Sequence, residues 1–373
     1  MAIKKRSIGS KIIVTWAVAT GMWASPMAQA LETQIYGKVR ISVDALDRGD
    51  KAESAPGAGD AISGGTIDVN AYSSRLGFKG GQELDGGLKF IWQLETDIKY
   101  DKGGFAGTTG RNSFGGLSGD FGTVLAGKHD TPYKLAGGKL DPFIDSRADH
   151  NSMVGVNPAG ASHDMRASNI LMYTSPTVWD TKFIGAYVAD ETPDNTDTPA
   201  ISLAMLHGHG PMYASVAYQS LSNSGVGGDD DTAAKFAFGY NFYSGTSIGV
   251  ILEALDAGGA NGDRNGAYVS AKQKIGKHTL KAAYGVASDL GDDVGTGATY
   301  LAVGVVKKLG KGAELYAQYA AVNNDTNATY GFKGSGPSAP AAAAGEDVTA
   351  FSVGFNYMFG YEGAVSHRGS AKE

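Results

Sequence analysis

The sequence predicts an all-β fold, a 16-stranded antiparallel transmembrane β-barrel with a long inward-folded third loop. Apolar and polar residues alternate at period two in one segment after another, and the connections between segments alternate short with long. The 373 residues include 55 glycines and 18 tyrosines but no cysteine, so no disulfide framework holds an exported chain of this size together. Hydrogen bonding around a closed sheet would serve instead.

At the amino terminus, Lys4, Lys5, Arg6 and Lys11 precede the apolar run Ile12 to Ala24, and Ala28-Gln29-Ala30 follows. That run is shorter than the roughly 20 residues of a spanning helix, so residues 1–30 are expected to be a cleavable signal peptide. Removing its four basic residues changes 32 basic against 38 acidic into 28 against 38, a net charge of −10. An acidic exported chain is not expected to bind nucleic acid. Charged or polar residues interrupt every later apolar run, which excludes crossing by helices.

The first strand, Gln34 to Ala45, carries Ile35, Gly37, Val39, Ile41 and Val43 on one face. Gln34, Tyr36, Lys38, Arg40, Ser42 and Asp44 share the other, which demands water. Leu88 to Asp97, His278 to Val286, Ala313 to Ala321 and Phe351 to Phe359 repeat the scheme. Each segment has the length of about 10 residues that suits one tilted crossing. Short turns are read at Glu83–Gly87, Ser118–Gly122, Gly208–Pro211, Tyr243–Thr246, Ile275–Lys277 and Lys308–Gly312. Long loops are read at Asp47 to Asn70, Asn223 to Asp231, Asp256 to Gly266 and Asn323 to Asp347. Sixteen strand centres follow, from Val39 and Gly77 to Tyr316 and Phe355, and a barrel of that size keeps an aqueous channel. Residues 31–359 then form one barrel domain, and residues 360–373, rich in Gly, Ser and charge, a C-terminal tail.

The connection at residues 129–165 is too long for a simple cap and carries Pro132, Pro142 and Pro158 among many charges. It is expected to fold into the barrel and narrow the pore.

The stretches Ser74-Arg-Leu-Gly-Phe78 through Glu95, Gly116-Leu-Ser-Gly-Asp-Phe-Gly122 through Lys128, and Thr131-Pro-Tyr133 resemble the trimeric general porins of β-proteobacterial outer membranes. The tail segment Ser352 to Phe359 resembles that family's closing strand. The resemblance implies a homotrimer among outer-membrane lipid and lipopolysaccharide of a Gram-negative bacterium. It also implies passive diffusion of small hydrophilic solutes and ions with a modest anion preference. A solute-specific channel and, behind it, a structural or adhesive surface barrel are the alternatives.

In that family a ladder of basic wall residues faces acidic residues on the third loop. Carried over, Arg75 takes the wall-arginine position and Lys128 stands where arginine is usual. Lys38 and Arg40 lie on the polar face of the first strand, and Arg111 and Arg166 precede strands at positions open to either face. Asp141 and Asp145 are the loop acids expected opposite. The chain departs from the family by continuing past Phe359.

No enzyme is expected. Gly116-Leu-Ser-Gly-Asp120 lacks the final glycine of a nucleophile elbow, and no phosphate loop with its lysine occurs. No cofactor is expected either, although Asp229-Asp-Asp231 and Asp292-Asp293 offer oxygen ligands for a loop-bound divalent cation.

Overall fold

The computed structural model describes residues 32–48, 66–156, 158, 162–190, 199–258, 262–332 and 343–360. The expected signal peptide and tail lie outside the described residues, apart from Gly360. Among the described residues eighteen strands form one antiparallel sheet. They are β1 (Glu32–Arg48), β2 (Thr66–Asn70), β3 (Arg75–Glu83), β4 (Lys89–Ile98), β5 (Phe105–Gly110) and β6 (Ser113–Gly119). Then come β7 (Gly122–Asp130), β8 (Arg166–Thr174), β9 (Thr181–Val188), β10 (Ala200–His209), β11 (Met212–Leu221) and β12 (Asp231–Asn241). Last are β13 (Thr246–Asp256), β14 (Asp263–Ile275), β15 (His278–Ala287), β16 (Ala298–Gly310), β17 (Ala313–Asn324) and β18 (Val348–Phe359).

The sheet closes on itself because β1 pairs with β18, from Gly37 opposite Phe359 to Arg48 opposite Val348. Closure removes the edges, so the ladder leaves no row of unpaired backbone groups facing lipid. Two crossings are interrupted. β2 and β3 both pair with β1, and β5 and β6 both pair with β4, which reduces the eighteen strands to sixteen staves. At the first interruption Ser73 has φ 47°, and the Ser74 hydroxyl bridges the gap, accepting from Arg40 N at 2.8 Å and donating to Arg40 O at 2.9 Å. All sixteen expected strand centres fall within the sixteen staves.

The alternation sorts as read. Ile35, Val43, Leu94, Phe183, Leu203, Tyr284, Phe351 and Val353 are exposed on the outer surface, whereas Tyr36, Lys38, Arg40, Ser42 and Asp44 are buried inside. An apolar exterior over a polar interior is the arrangement lipid imposes on a barrel. Strand lengths differ from the expected 10, with 17 residues in β1 and 13 in β14 and β16. Extended ladders also shorten the loop expected at Asp256 to Gly266, since β13 reaches Asp256 and β14 resumes at Asp263. Likewise His129 and Asp130 belong to β7, and the third loop runs over 131–165.

That loop enters the barrel. Thr131 caps a short helix, α1 (Pro132–Gly137), by accepting from Lys134 N. The helix lies on the inner face of β10 and β11. Tyr133 N donates to Ser202 Oγ at 3.0 Å, and the Tyr213 and Ser215 hydroxyls donate to Ala136 O at 2.7 and 2.8 Å. The chain then crosses the lumen, its carbonyls accepting from Ser270 (to Leu140 O), Lys281 (to Pro142 O) and Arg40 (to Ile144 O) at 2.7, 2.6 and 3.1 Å. It returns with Tyr300 on Ala148 O, Arg264 on Met153 O and Glu253 accepting from Gly155 N. Wall side chains thus satisfy backbone groups that a buried loop would otherwise leave unpaired.

Glycines make room for this packing. A Cβ at Gly249 would lie 2.8 Å from Ser270 Oγ and 3.1 Å from Leu140 Cβ, and one at Gly239 would lie 2.5 Å from Leu140 Cδ2. Leu140 therefore seats in a notch that any larger wall residue would fill. Tyr36 and Tyr316 lie over Gly77 and Gly354 in the same way, their rings 2.3 Å from where a Cβ would stand.

Candidate functional site

The tip of the third loop turns at Asp145, φ 63°, and carries its carboxylate to the wall made by β1, β3 and β4. Lys38 Nζ reaches Asp145 Oδ2 at 2.8 Å and Arg75 Nη2 reaches it at 3.4 Å. Burial works against the Asp145 carboxylate, but Lys38 and Arg75 beside it outweigh that and hold its pKa well below the usual carboxylate range. Arg40, two residues along β1, places its guanidinium 4.6 Å from the Tyr316 ring centroid and donates to Ile144 O. Lys38, Arg40 and Arg75 thus form one row.

Arg111 lies in the break between β5 and β6 and turns inward, bonding Glu95 at 2.5 Å and Asp97 at 2.9 Å. Glu95 also accepts from Tyr36 at 2.9 Å and lies 3.9 Å from Arg75 Nε, which ties Arg111 to the row. Arg166 stands farther round, on Asp130 at 3.2 Å and Asn112 at 2.6 Å. Lys128 falls in the irregular stretch between Gly127 and His129 where the β7–β8 register shifts, and it is not among the residues that meet at Asp145.

Asp141 corrects the expectation that it faces the basic row. It is buried within the loop, accepting from Tyr268 OH at 2.7 Å, Phe143 N at 2.8 Å and both His150 N and Nδ1 at 3.0 Å. His150 is enclosed by carboxylates, with Asp149 3.2 Å from Nδ1 and Asp164 3.2 Å from Nε2. Burial disfavours the imidazolium, yet Asp141, Asp149 and Asp164 outweigh it and raise the pKa well above 6.5. Asp141, Asp149 and His150 are close enough to ligate a metal, but the imidazolium already supplies the positive charge those acids need. Asp231 is likewise withdrawn from the expected loop-tip cluster, bonded to buried His163 at 2.7 Å.

Several residues that hold the site were not singled out in the sequence. Arg147, fully buried, lies 3.4 Å from both Asp44 and Asp68 and over the Tyr72 ring. Lys235 pairs with Asp164 at 2.5 Å, Arg264 with Glu253, and Lys281 lies 4.4 Å from the Phe143 ring centroid. Parity would have placed Lys235 and Lys281 inside, since they share rows with Ala233 and Ala283. Nothing in the sequence sets Arg147, whose partners are 103 and 79 residues away by numbering, apart from the other charges of the loop.

Below the row, a cavity of about 630 Å³ is bordered by Gln34, Lys79, Lys89, Gln93, Ile91 and Phe114. It gives the wall beside Asp145 an open, polar space on the scale of a small solute.

A sequence profile of Gram-negative porins matches residues 15–327. The chain belongs to the Gram-negative porin family. It is therefore a multi-pass β-barrel of the outer membrane. Over 370 residues this porin is 27% identical to outer membrane porin protein 32 of Delftia acidovorans, covering 94% of this chain and 99% of that one. It is 31% identical over 144 residues to major outer membrane protein P.IA of Neisseria meningitidis, a match spanning 36% of each chain. The solved anion-selective porin from Comamonas acidovorans superposes with a TM-score of 0.72 at 23% identity, covering 88% of this chain and all of that one, a likeness of fold. The porins so matched are channels rather than enzymes.

Proposed function

We propose that this porin is a water-filled channel for passive diffusion of small hydrophilic solutes and ions, with a modest anion preference set where Asp145 meets the basic row. The observation that carries the preference is the charge balance there. Lys38, Arg40, Arg75 and Arg111 outnumber Asp145, Glu95 and Asp97 within one connected cluster. Fixed charges on a narrow, low-dielectric wall act on a passing ion far more than the acidic net charge of the whole chain does. The related Comamonas structure is described as anion-selective, which supports the same reading.

The aperture is read as the space between the loop tip and the β4–β6 wall, because the loop's bonds run to β10–β16 and β1–β3. Assembly as a homotrimer among outer-membrane lipid and lipopolysaccharide belongs to the same proposal, as does the absence of an enzymatic role. Liposome swelling with uncharged sugars of graded size tests it, together with conductance in planar bilayers. Swelling that falls with solute size, and conductance in three equal steps, are expected. Impermeable liposomes would favour a plugged surface barrel.

A further inference from the structure

On the far side of the loop from Asp145 stands a second group of cations. Lys139, in the turn after α1, places its ammonium 3.4 Å from the Tyr213 ring centroid. Lys272 on β14 lies directly opposite Lys281 on β15 in the ladder, so two ammonium groups share one patch of inner wall. Like charges directly opposite across a ladder are destabilising. Lys281 is held by Pro142 O and the Phe143 ring, but Lys139 and Lys272 have no carboxylate partner among the described residues. The acids nearby are engaged elsewhere, Asp141 with Tyr268 and His150, and Glu314 with Asn356 at 3.3 Å. The charge acting on Lys139 is that of another cation, Lys182 of β9.

Between Lys139 and Lys272 lies a cavity of about 80 Å³, walled by Tyr213, Asn241, Ser247 and Ser270. Ser270 donates to Leu140 O and Ser247 to Asn241 Oδ1, so neither hydroxyl hydrogen is spare and the two ammonium groups are the cavity's cationic donors. The space is far below that of a site enclosing a whole organic ligand and is on the scale of a small oxyanion.

We propose that this cavity is an anion subsite borne partly by the loop, distinct from the Lys38, Arg40 and Arg75 row, which takes the phosphate head of a small phosphorylated solute while the remainder stays in the lumen. Phosphate, with between one and two negative charges at neutral pH, matches the two lysines. The proposal rests on the channel reading above and adds a place where a solute pauses.

The test is block of chloride conductance by inorganic phosphate at pH 7 in planar bilayers. It is paired with broadening of the phosphate 31P resonance by the protein in detergent, a readout that does not pass through conduction. Saturable block is expected, weakened at least tenfold in K139Q/K272Q and retained in K38Q/R75Q, with the broadening following the same pattern. Block and broadening that survive K139Q/K272Q but vanish in K38Q/R75Q would overturn the subsite. So would their absence from a wild-type channel whose reversal potential favours anions, which leaves the channel reading standing. A silent barrel whose 31P broadening is still lost in K139Q/K272Q would support the subsite and overturn the channel reading.

Discussion

Lys38 on β1 and Asp145 at the tip of the third loop meet at 2.8 Å inside the barrel, 107 residues apart in sequence. The pair does two things at once. It fastens the loop to the wall, and it cancels part of the positive charge that the wall would otherwise show to a passing ion.

Removing the acid should therefore separate charge from fastening. Asp145→Asn keeps the shape but strips one negative charge from beside Lys38 and Arg75. Two unit charges 4 Å apart in water interact by about 1 kcal/mol, or roughly fivefold in a Boltzmann ratio. The anion-to-cation permeability ratio should rise by up to that factor at low salt and by less at high salt, where the field is screened. A ratio that falls or stays fixed at low salt would place the selectivity elsewhere.

Arg147 is a different kind of contact, buried between Asp44 and Asp68. Breaking one partner of a buried pair costs about 3–5 kcal/mol because the other charge is left stranded. Arg147→Ala should release the loop without unfolding the closed sheet, raising open-channel noise and amide exchange over residues 141–155. Adding Asp44→Asn should recover part of the loss, and strictly additive losses would show that the pair is not coupled.

The same logic gives the pH dependence of the loop. His150 has a raised pKa, so its contribution is complete below about pH 6.5 and is withdrawn as pH climbs through the raised value. Asp145 and Asp164 have lowered values, so theirs is complete above about pH 4 and is lost only in strong acid. Wild-type channel noise should be flat between about pH 5 and pH 7 and grow at alkaline pH. His150→Gln should be noisier throughout and show a smaller alkaline rise than the wild type.

The barrel was legible because lipid and water act on opposite faces of every strand. Ile35 and Tyr36 are adjacent in sequence and fall on opposite surfaces, and that periodicity needs no knowledge of neighbours. Lys38, Arg40 and Arg75 inherit their inward direction from it. The loop has no such period. Asp141 and Asp145 read alike in the sequence, yet one bonds Tyr268 and His150 and the other bonds Lys38 and Arg75. What separates them is the path of the backbone, fixed by distant features such as the Gly239 and Gly249 notch that receives Leu140. Arg147 went unmarked for the same reason, since its acids lie on β1 and β2 and only the folded loop brings it there.

The central claim is that the basic row beside Asp145 sets the ion preference of this porin. Its most direct test is the reversal potential across a planar bilayer under a salt gradient, for the wild type and for Arg40→Gln/Arg75→Gln. The account predicts an anion-favouring potential in the wild type that shifts toward zero or reverses in the double variant. A cation-favouring wild type, or a double variant with an unchanged potential in a channel of unchanged conductance, would contradict it.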